Sequence, residues 1–239
     1  MKNFKILKSY AKINLSLGVT GKLKSGYHRI ESLVSFLNLY DEVKVKKISN
    51  KNHKILFVGK FSKGIKKKNT ISELLKILDK EKILDNQKYL IKVKKNIPYE
   101  SGLAGGSMNA STIIRFFISE KILNLSKKKL IKLTKQIGSD VQLGLNYKNK
   151  ILFSNGKIKE ILRKKPFFVI IIKPNYGCST KKIYSGIKKY STKKLKIGNK
   201  NYFVLKNIIK LQNDLEKVVF KYYPKLIKVK YFMEGLPNI

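Results

Sequence analysis

Residues 97 to 112 read IPYESGLAGGSMNAST, a stretch without charge after Glu100 in a chain where 54 of 239 residues are lysine or arginine. Gly102, Gly105 and Gly106 let the backbone turn with positive φ and come close to a ligand. The apolar residues that follow, Ala110, Ile113, Ile114, Phe117 and Ile118, recur at helical spacing, so the glycines sit where a helix begins. The first amides of a helix have no intrahelical acceptor, and the helix dipole gives them partial positive charge. Exposed amides between Gly102 and Asn109 therefore suit phosphate oxygens. No Gly-Lys-Ser/Thr closes the stretch and no G-x-G-x-x-G is present, so it is neither a Walker loop nor a dinucleotide fingerprint. An ordinary tight turn ahead of a helix is the plain alternative.

A second candidate is Lys12. In SYAKINLSLG the residues Ala11, Ile13, Leu15 and Leu17 fall on one face of a strand and Lys12, Asn14 and Ser16 on the other. Lys12 is thereby set apart from lysines scattered over solvated surface. Further strands are expected at DEVKVKK and at KYLIKVKK, where Tyr89, Ile91 and Val93 share a side. NTISELLKIL reads as a helix opened by a Thr70/Glu73 capping box, with Ile71, Leu74, Leu75 and Leu78 in one stripe. Ser126 starts another helix through Leu130, Leu133 and Ile137. The second half opens with KILFSNGKIKEIL, whose Asn-Gly marks a hairpin, and continues into FFVIII at 167 to 172, expected to be a buried strand. A helix near Lys181 to Lys189, a lysine-rich loop from Lys188 to Lys200 and a helix through NDLEKVVFKYYPKL ended by Pro224 complete the reading. Strands and helices mix in both halves, which predicts an α+β protein with lobes 1–148 and 149–239.

Composition limits the chemistry. The single Cys178 leaves no internal disulfide, and two histidines, His28 and His53, leave little for a metal cage, so no dedicated metal ligands are expected. A reducing, cytosol-like compartment fits, of bacterial or plastid type. No apolar run is long enough for a membrane span, and lysines at 2, 5, 8 and 12 interrupt any signal-peptide core. The formal charge is +40, yet only Arg29, Arg115 and Arg163 are arginines, the side chain best suited to bidentate phosphate and guanine contacts. Lysines spread along the whole chain favour compositional drift over a dedicated nucleic-acid surface, so no specific nucleic-acid partner and no membrane partner are expected.

The run from Pro98 to Ala110, P-x-x-x-G-L-A-G-G-S-x-N-A, resembles the phosphate loop of the GHMP small-molecule kinases. AKINLSLGVTGKLKSGYHRIESL at 11 to 33, IGSDVQLGL at 137 to 145 and NDLE at 213 to 216 are similar to motifs of the branch that phosphorylates 4-diphosphocytidyl-2-C-methyl-D-erythritol. The resemblance implies a two-lobed GHMP kinase fold, with a ribosomal-protein-like amino-terminal lobe and a ferredoxin-like α/β sandwich as the carboxy-terminal lobe. It also implies ATP as co-substrate, Mg²⁺ with the nucleotide, and phosphorylation of the 2-hydroxyl of the cytidine diphosphate-linked methylerythritol in the non-mevalonate isoprenoid pathway.

By the same resemblance Asp140 is the catalytic base and Lys12 its partner, with Asn14 touching the acceptor. ATP falls to Pro98, Tyr99, Glu100, Ser101, Gly102, Leu103, Ala104, Gly105, Gly106, Ser107 and Met108, with Asn69 and Lys95 toward adenine. Tyr27 and Tyr184 stack on the cytosine while His28 bonds its edge. An aromatic face beside a ring that both donates and accepts is suited to a nucleobase. Three departures stand out: Met108 replaces a serine of the loop, Gln142 stands where proline is usual, and the third glycine-rich motif is missing before the chain stops at YFMEGLPNI. The carboxy-terminal lobe is accordingly expected to be incomplete. Another kinase of the superfamily and a basic RNA-binding protein without kinase activity are the open alternatives.

Overall fold

A computed structural model describes residues 3–24, 26–162, 166–196 and 201–236. Arg163, the end of the lysine-rich loop and the final three residues lie outside that set. Among the described residues no helix is long and apolar enough to cross a membrane. The chain divides into two compact units, Met1–Lys12 with Phe36–Tyr147 and Ile13–Ser35 with Lys148–Ile239. The sequence reading cut the chain once, near 148. The long strands β1 (Lys5–Lys22) and β2 (His28–Ile48) instead give one end to each unit, so residues 13–35 group with the second half. Hydrophobic alternation within a strand does not say where along its length its neighbours change.

In the first unit β3 (Lys54–Val58) runs parallel to β4 (Lys88–Lys94), with Ile55 opposite Ile91. β4 is antiparallel to β2, with Val43 opposite Val93 and Val45 opposite Ile91. Both strands alternate, and the buried parity of one meets that of the other, as a sheet with one covered face requires. Helix α1 (Thr70–Lys80) buries Ile71, Leu74, Leu75 and Leu78. Helix α2 (Gly105–Ser119) is buried on most of its surface, the polar Asn109, Ser111 and Thr112 included, and its apolar Met108, Ile113, Ile114, Phe116 and Phe117 are all buried. With Leu133 of α3 (Lys127–Ile137) these apolar side chains, Met108 apart, form one core against Val43, Val45, Ile91 and Val93. Ser126 caps α3 as expected, its Oγ accepting from the Lys129 amide at 3.4 Å. The cap of α1 is one residue earlier than the sequence suggested. Asn69 Oδ1 accepts the Ile71 and Ser72 amides, and Ser72 Oγ accepts the Asn69 amide, so the box is Asn69/Ser72 and Thr70 is free for another bond.

The second unit is built on a smaller core. β2 pairs antiparallel with β5 (Asn149–Leu152), and β5 with β6 (Ile158–Ile161), whose turn places Gly156 at φ 80 as the Asn-Gly signal required. Leu33, Ile151, Phe153, Tyr202 and Phe203 cluster there. Among the described residues four short helices follow: α4 (Thr180–Ser185), α5 (Leu205–Ile208), α6 (Leu215–Tyr222) and α7 (Lys225–Glu234). Pro224 ends α6 and also opens α7. The expectation of a buried strand at FFVIII is not met. Residues 166–175 have no regular structure, and Phe168, Ile170, Ile171 and Ile172 are exposed. A run apolar on both sides becomes a central strand only if a sheet edge and two covering layers receive it, and the run itself encodes neither.

His53 illustrates how the first unit depends on pH. Its Nδ1 accepts the Tyr89 amide at 3.0 Å, which leaves the proton on Nε2, 3.1 Å from Asp79; Lys88 neutralises Asp79 at 2.9 Å. Burial pushes His53 below its ordinary value in spite of Asp79, so the folded chain takes up its proton later than the unfolded chain as pH falls. Its contribution is fully present above the unfolded value of 6.5 and is lost as pH drops below it. The urea midpoint should therefore fall between pH 7.5 and 5.5, and His53→Gln should flatten that slope. Asp79, held below its ordinary value by Lys88 and His53 against the opposing effect of its own burial, titrates at lower pH and does not confuse the window.

Candidate active site

The strand-to-helix segment between β4 and α2 is shaped by backbone conformation. Glu100, Gly102 and Ala104 have φ of 52, 76 and 55. Only one is glycine; Ala104 in the left-handed region costs about 1–2 kcal/mol, a strain the surrounding packing must hold. Ala104 is the N-cap of α2 and makes no side-chain cap bond, so Gly105, Gly106 and Ser107 begin the helix with open amides. The Met108 amide donates to the Ala104 carbonyl at 2.9 Å, and its side chain is fully buried. Met108 thus offers neither hydroxyl nor free amide, and the serine it replaces matters less than the sequence suggested. The amides left open in the stretch Gly102–Asn109 narrow to those of the residues just ahead of Met108. Pro98 to Ser101 form the approach, closed by Ser101 Oγ on the Pro98 carbonyl at 2.8 Å, with Tyr99 exposed and Leu103 tucked beside Ala11 and Ile97.

Lys12 meets this segment twice. Its amide donates to the Leu103 carbonyl at 3.2 Å, and its Nζ lies 3.3 Å from Asp140 Oδ2. Lys12 is only 4% exposed, unlike the solvated lysines around the chain. Asp140 opens the 3-10 turn Val141–Leu145 without capping it, which removes the helix-cap explanation for this aspartate. The turn is pinned to α2 by Ser111 Oγ, which donates to the Val141 carbonyl at 2.5 Å. Gly144 allows this approach, since a Cβ there would lie 2.6 Å from Ser111 Oγ. At the other end, a Cβ on Gly138 would stand 3.7 Å from Ser107 Oγ, so the aspartate turn borders the first turn of α2. The fold brings Lys12, Asp140 and the open amides together.

Asn69 and Lys95 are placed otherwise than as free ligands. The Asn69 side chain is spent on the α1 cap and on the Lys66 and Lys67 carbonyls. Its neighbour Thr70 reaches the loop instead, donating to the Gly106 carbonyl at 2.7 Å. The Lys95 ammonium is buried against Asp41, whose Oδ1 also accepts the Asn96 and Ile97 amides at 2.8 Å. It also lies 3.1 Å from where a Cβ on Gly105 would be. Asp41 was missed in the sequence, although it shares strand parity with the buried Val43 and Val45.

The nucleobase candidates belong to the second unit. Gly26 at φ 85 and the Leu23 amide on the Tyr27 carbonyl at 2.7 Å close a turn that leaves Tyr27 exposed. His28 follows, its ring 5.2 Å from that of Tyr184 and tilted by 32°. Burial, then the charge of Lys22, hold His28 below its ordinary value, so the neutral imidazole offers one donor and one acceptor. Asn14 Oδ1 lies 3.2 Å from Ser32 Oγ. In the NDLE motif Asp214 is structural, its carboxylate accepting the Val19 amide at 2.7 Å.

Residues 69–147 match the family description "GHMP kinases N terminal domain". A 4-diphosphocytidyl-2-C-methyl-D-erythritol kinase of Pelagibacter ubique is 49% identical over 238 residues, covering 100% of this chain and 84% of that protein. The chain belongs to the 4-diphosphocytidyl-2-C-methyl-D-erythritol kinase family. A member of that family from Caldicellulosiruptor saccharolyticus is 32% identical, with 96% of this chain and 81% of the other aligned. A crystal structure of 4-(cytidine 5'-diphospho)-2C-methyl-D-erythritol kinase superposes with a TM-score of 0.71 at 21% identity, over 97% of this chain and 83% of that one. The GHMP kinase fold, α+β with a mixed sheet, follows from that likeness.

Proposed function

We propose that the chain transfers the terminal phosphoryl group of ATP to the 2-hydroxyl of 4-diphosphocytidyl-2-C-methyl-D-erythritol, releasing ADP and the 2-phosphate for non-mevalonate isoprenoid synthesis. The observation that carries the reading is the 3.3 Å contact of buried Lys12 with Asp140, made by a strand whose own amide holds the phosphate loop. Phosphoryl transfer needs positioning, neutralisation of phosphate charge and an acceptor for the hydroxyl proton. Gly105, Gly106 and Ser107 present amides at a helix N-terminus to the phosphates. Asp140, with its side chain 31% exposed, takes the proton from the attacking hydroxyl. Lys12 orients that carboxylate and offsets the negative charge that develops on the oxygen.

Mg²⁺ accompanies the nucleotide in this reading, an ion that usually keeps phosphate oxygens and waters and needs few protein ligands. In the second unit Tyr27 and Tyr184 supply faces for the cytosine and neutral His28 its edge contact, with Asn14 toward the acceptor. The first unit is the ribosomal-protein-like lobe of the fold and the second its ferredoxin-like lobe. A reducing, cytosol-like compartment fits a chain with one cysteine.

The test is a coupled assay of ADP release by the purified, folded chain. Mg-ATP with the cytidyl acceptor should give one ADP per acceptor consumed, and mevalonate, homoserine or galactose should give none. A folded protein that releases no ADP with the cytidyl acceptor would overturn the proposal.

A further inference from the structure

We infer that Tyr190 is a further specificity-determining residue for the base of the acceptor, and that Glu31 is the positioning residue that holds it there. The inference rests on the reading that His28 meets the cytosine. Tyr190 is the one aromatic residue in a stretch, KKYSTKKLK, that composition alone would leave to solvent. Its ring nevertheless lies 6.5 Å from the His28 imidazole at 59°, within the range of aromatic contact, while Tyr184 stands 5.2 Å from the same ring. At 49% exposure Tyr190 keeps about half its surface open to a ligand.

The segment is fixed at three backbone points. The Ser191 amide donates to the Val19 carbonyl at 2.8 Å. The Lys194 amide donates to Glu31 Oε1 at 2.6 Å and the Leu195 amide approaches Oε2 at 3.4 Å. Leu195 then packs against the core around Leu33 and Phe153. Glu31 is only 4% exposed, so a carboxylate has been withdrawn from water to receive loop amides. Gly18 makes the room: a Cβ at that position would lie 3.1 Å from Glu31 Cγ. Here the ordered part begins one residue after Tyr190, which fixes where that ring can be.

With both faces of the cytosine met by Tyr27 and Tyr184, Tyr190 acts on the base's edge by packing against the His28 ring, and losing such an aromatic pair weakens binding by roughly 2- to 10-fold. Tyr190→Ala should therefore raise KM for the cytidyl acceptor about fivefold and weaken competition by cytidine 5'-diphosphate by the same factor. KM for ATP and kcat should stay within about twofold, and Tyr190→Phe should behave as wild type, since the ring face and not the hydroxyl is invoked. Glu31→Gln, which keeps the shape and removes the charge, should shift the acceptor KM in the same direction. An unchanged acceptor KM and cytidine diphosphate inhibition in Tyr190→Ala, against a wild type that turns over the acceptor, would overturn this inference alone. A folded wild type that neither turns over the acceptor nor binds cytidine 5'-diphosphate would overturn it together with the proposed function.

Discussion

Asp140→Asn should lower kcat by about 10²- to 10⁴-fold, the usual share of a positioned general base, while KM for both substrates changes little. Asparagine keeps the volume and the hydrogen-bonding reach of the side chain but cannot take the hydroxyl proton. It also leaves Lys12, buried and 3.3 Å away, facing a neutral amide, so the melting temperature should fall as well. The two effects separate by measurement: single-turnover kinetics at a temperature well below the transition reads the chemistry alone. Lys12→Met should cost a comparable amount of kcat, and the double variant little more than either single one, because the two residues act as a unit. A variant Asp140→Asn that keeps more than about a tenth of wild-type kcat would remove the base from the mechanism.

That pair was legible in the sequence only in halves. Lys12 stood out because a strand with period 2 put it on a face with Asn14 and Ser16, and Asp140 only through the resemblance of IGSDVQLGL to a motif of the family. The distance between them depends on β1 docking at Leu103 and on Ser111 tying the Val141 turn to α2, contacts between residues far apart in the chain. Elements with strong local periodicity were readable for the same reason: α1 and β4 bury the residues their spacing singles out, and α2 all of them except the exposed Ile118. FFVIII misled because its burial would have depended on partners elsewhere. The α1 cap slipped by one residue because Asn69, Thr70 and Ser72 are all competent capping types, and the choice is made by Thr70 bonding the Gly106 carbonyl. Tyr190 carried no signal at all, since what marks it is a carboxylate from another strand.

Asp41 carries the second large effect. It is fully buried, it pairs with Lys95, and it accepts the amides of Asn96 and Ile97 just before the loop turns at Pro98. Asp41→Asn keeps an oxygen for those two amides but leaves the Lys95 ammonium, 5% exposed, without its counter-charge. Breaking one side of a buried pair costs about 3–5 kcal/mol, against an ordinary total stability of about 5–15 kcal/mol. Urea unfolding should show that loss. Adding Lys95→Met should recover much of it, because the stranded charge is removed and Asp41→Asn retains its amide partners. If the double variant is no more stable than Asp41→Asn, the stranded ammonium is not the cause. The loop should respond along with the fold. Lys95 packs beneath Gly105 and Asp41 fixes the turn into Pro98, so the folded fraction of Asp41→Asn should show a raised KM for ATP with an unaltered acceptor KM. An equal rise in both would mean general loosening; a rise confined to ATP would mean that the open amides of α2 are held in register from below by this pair.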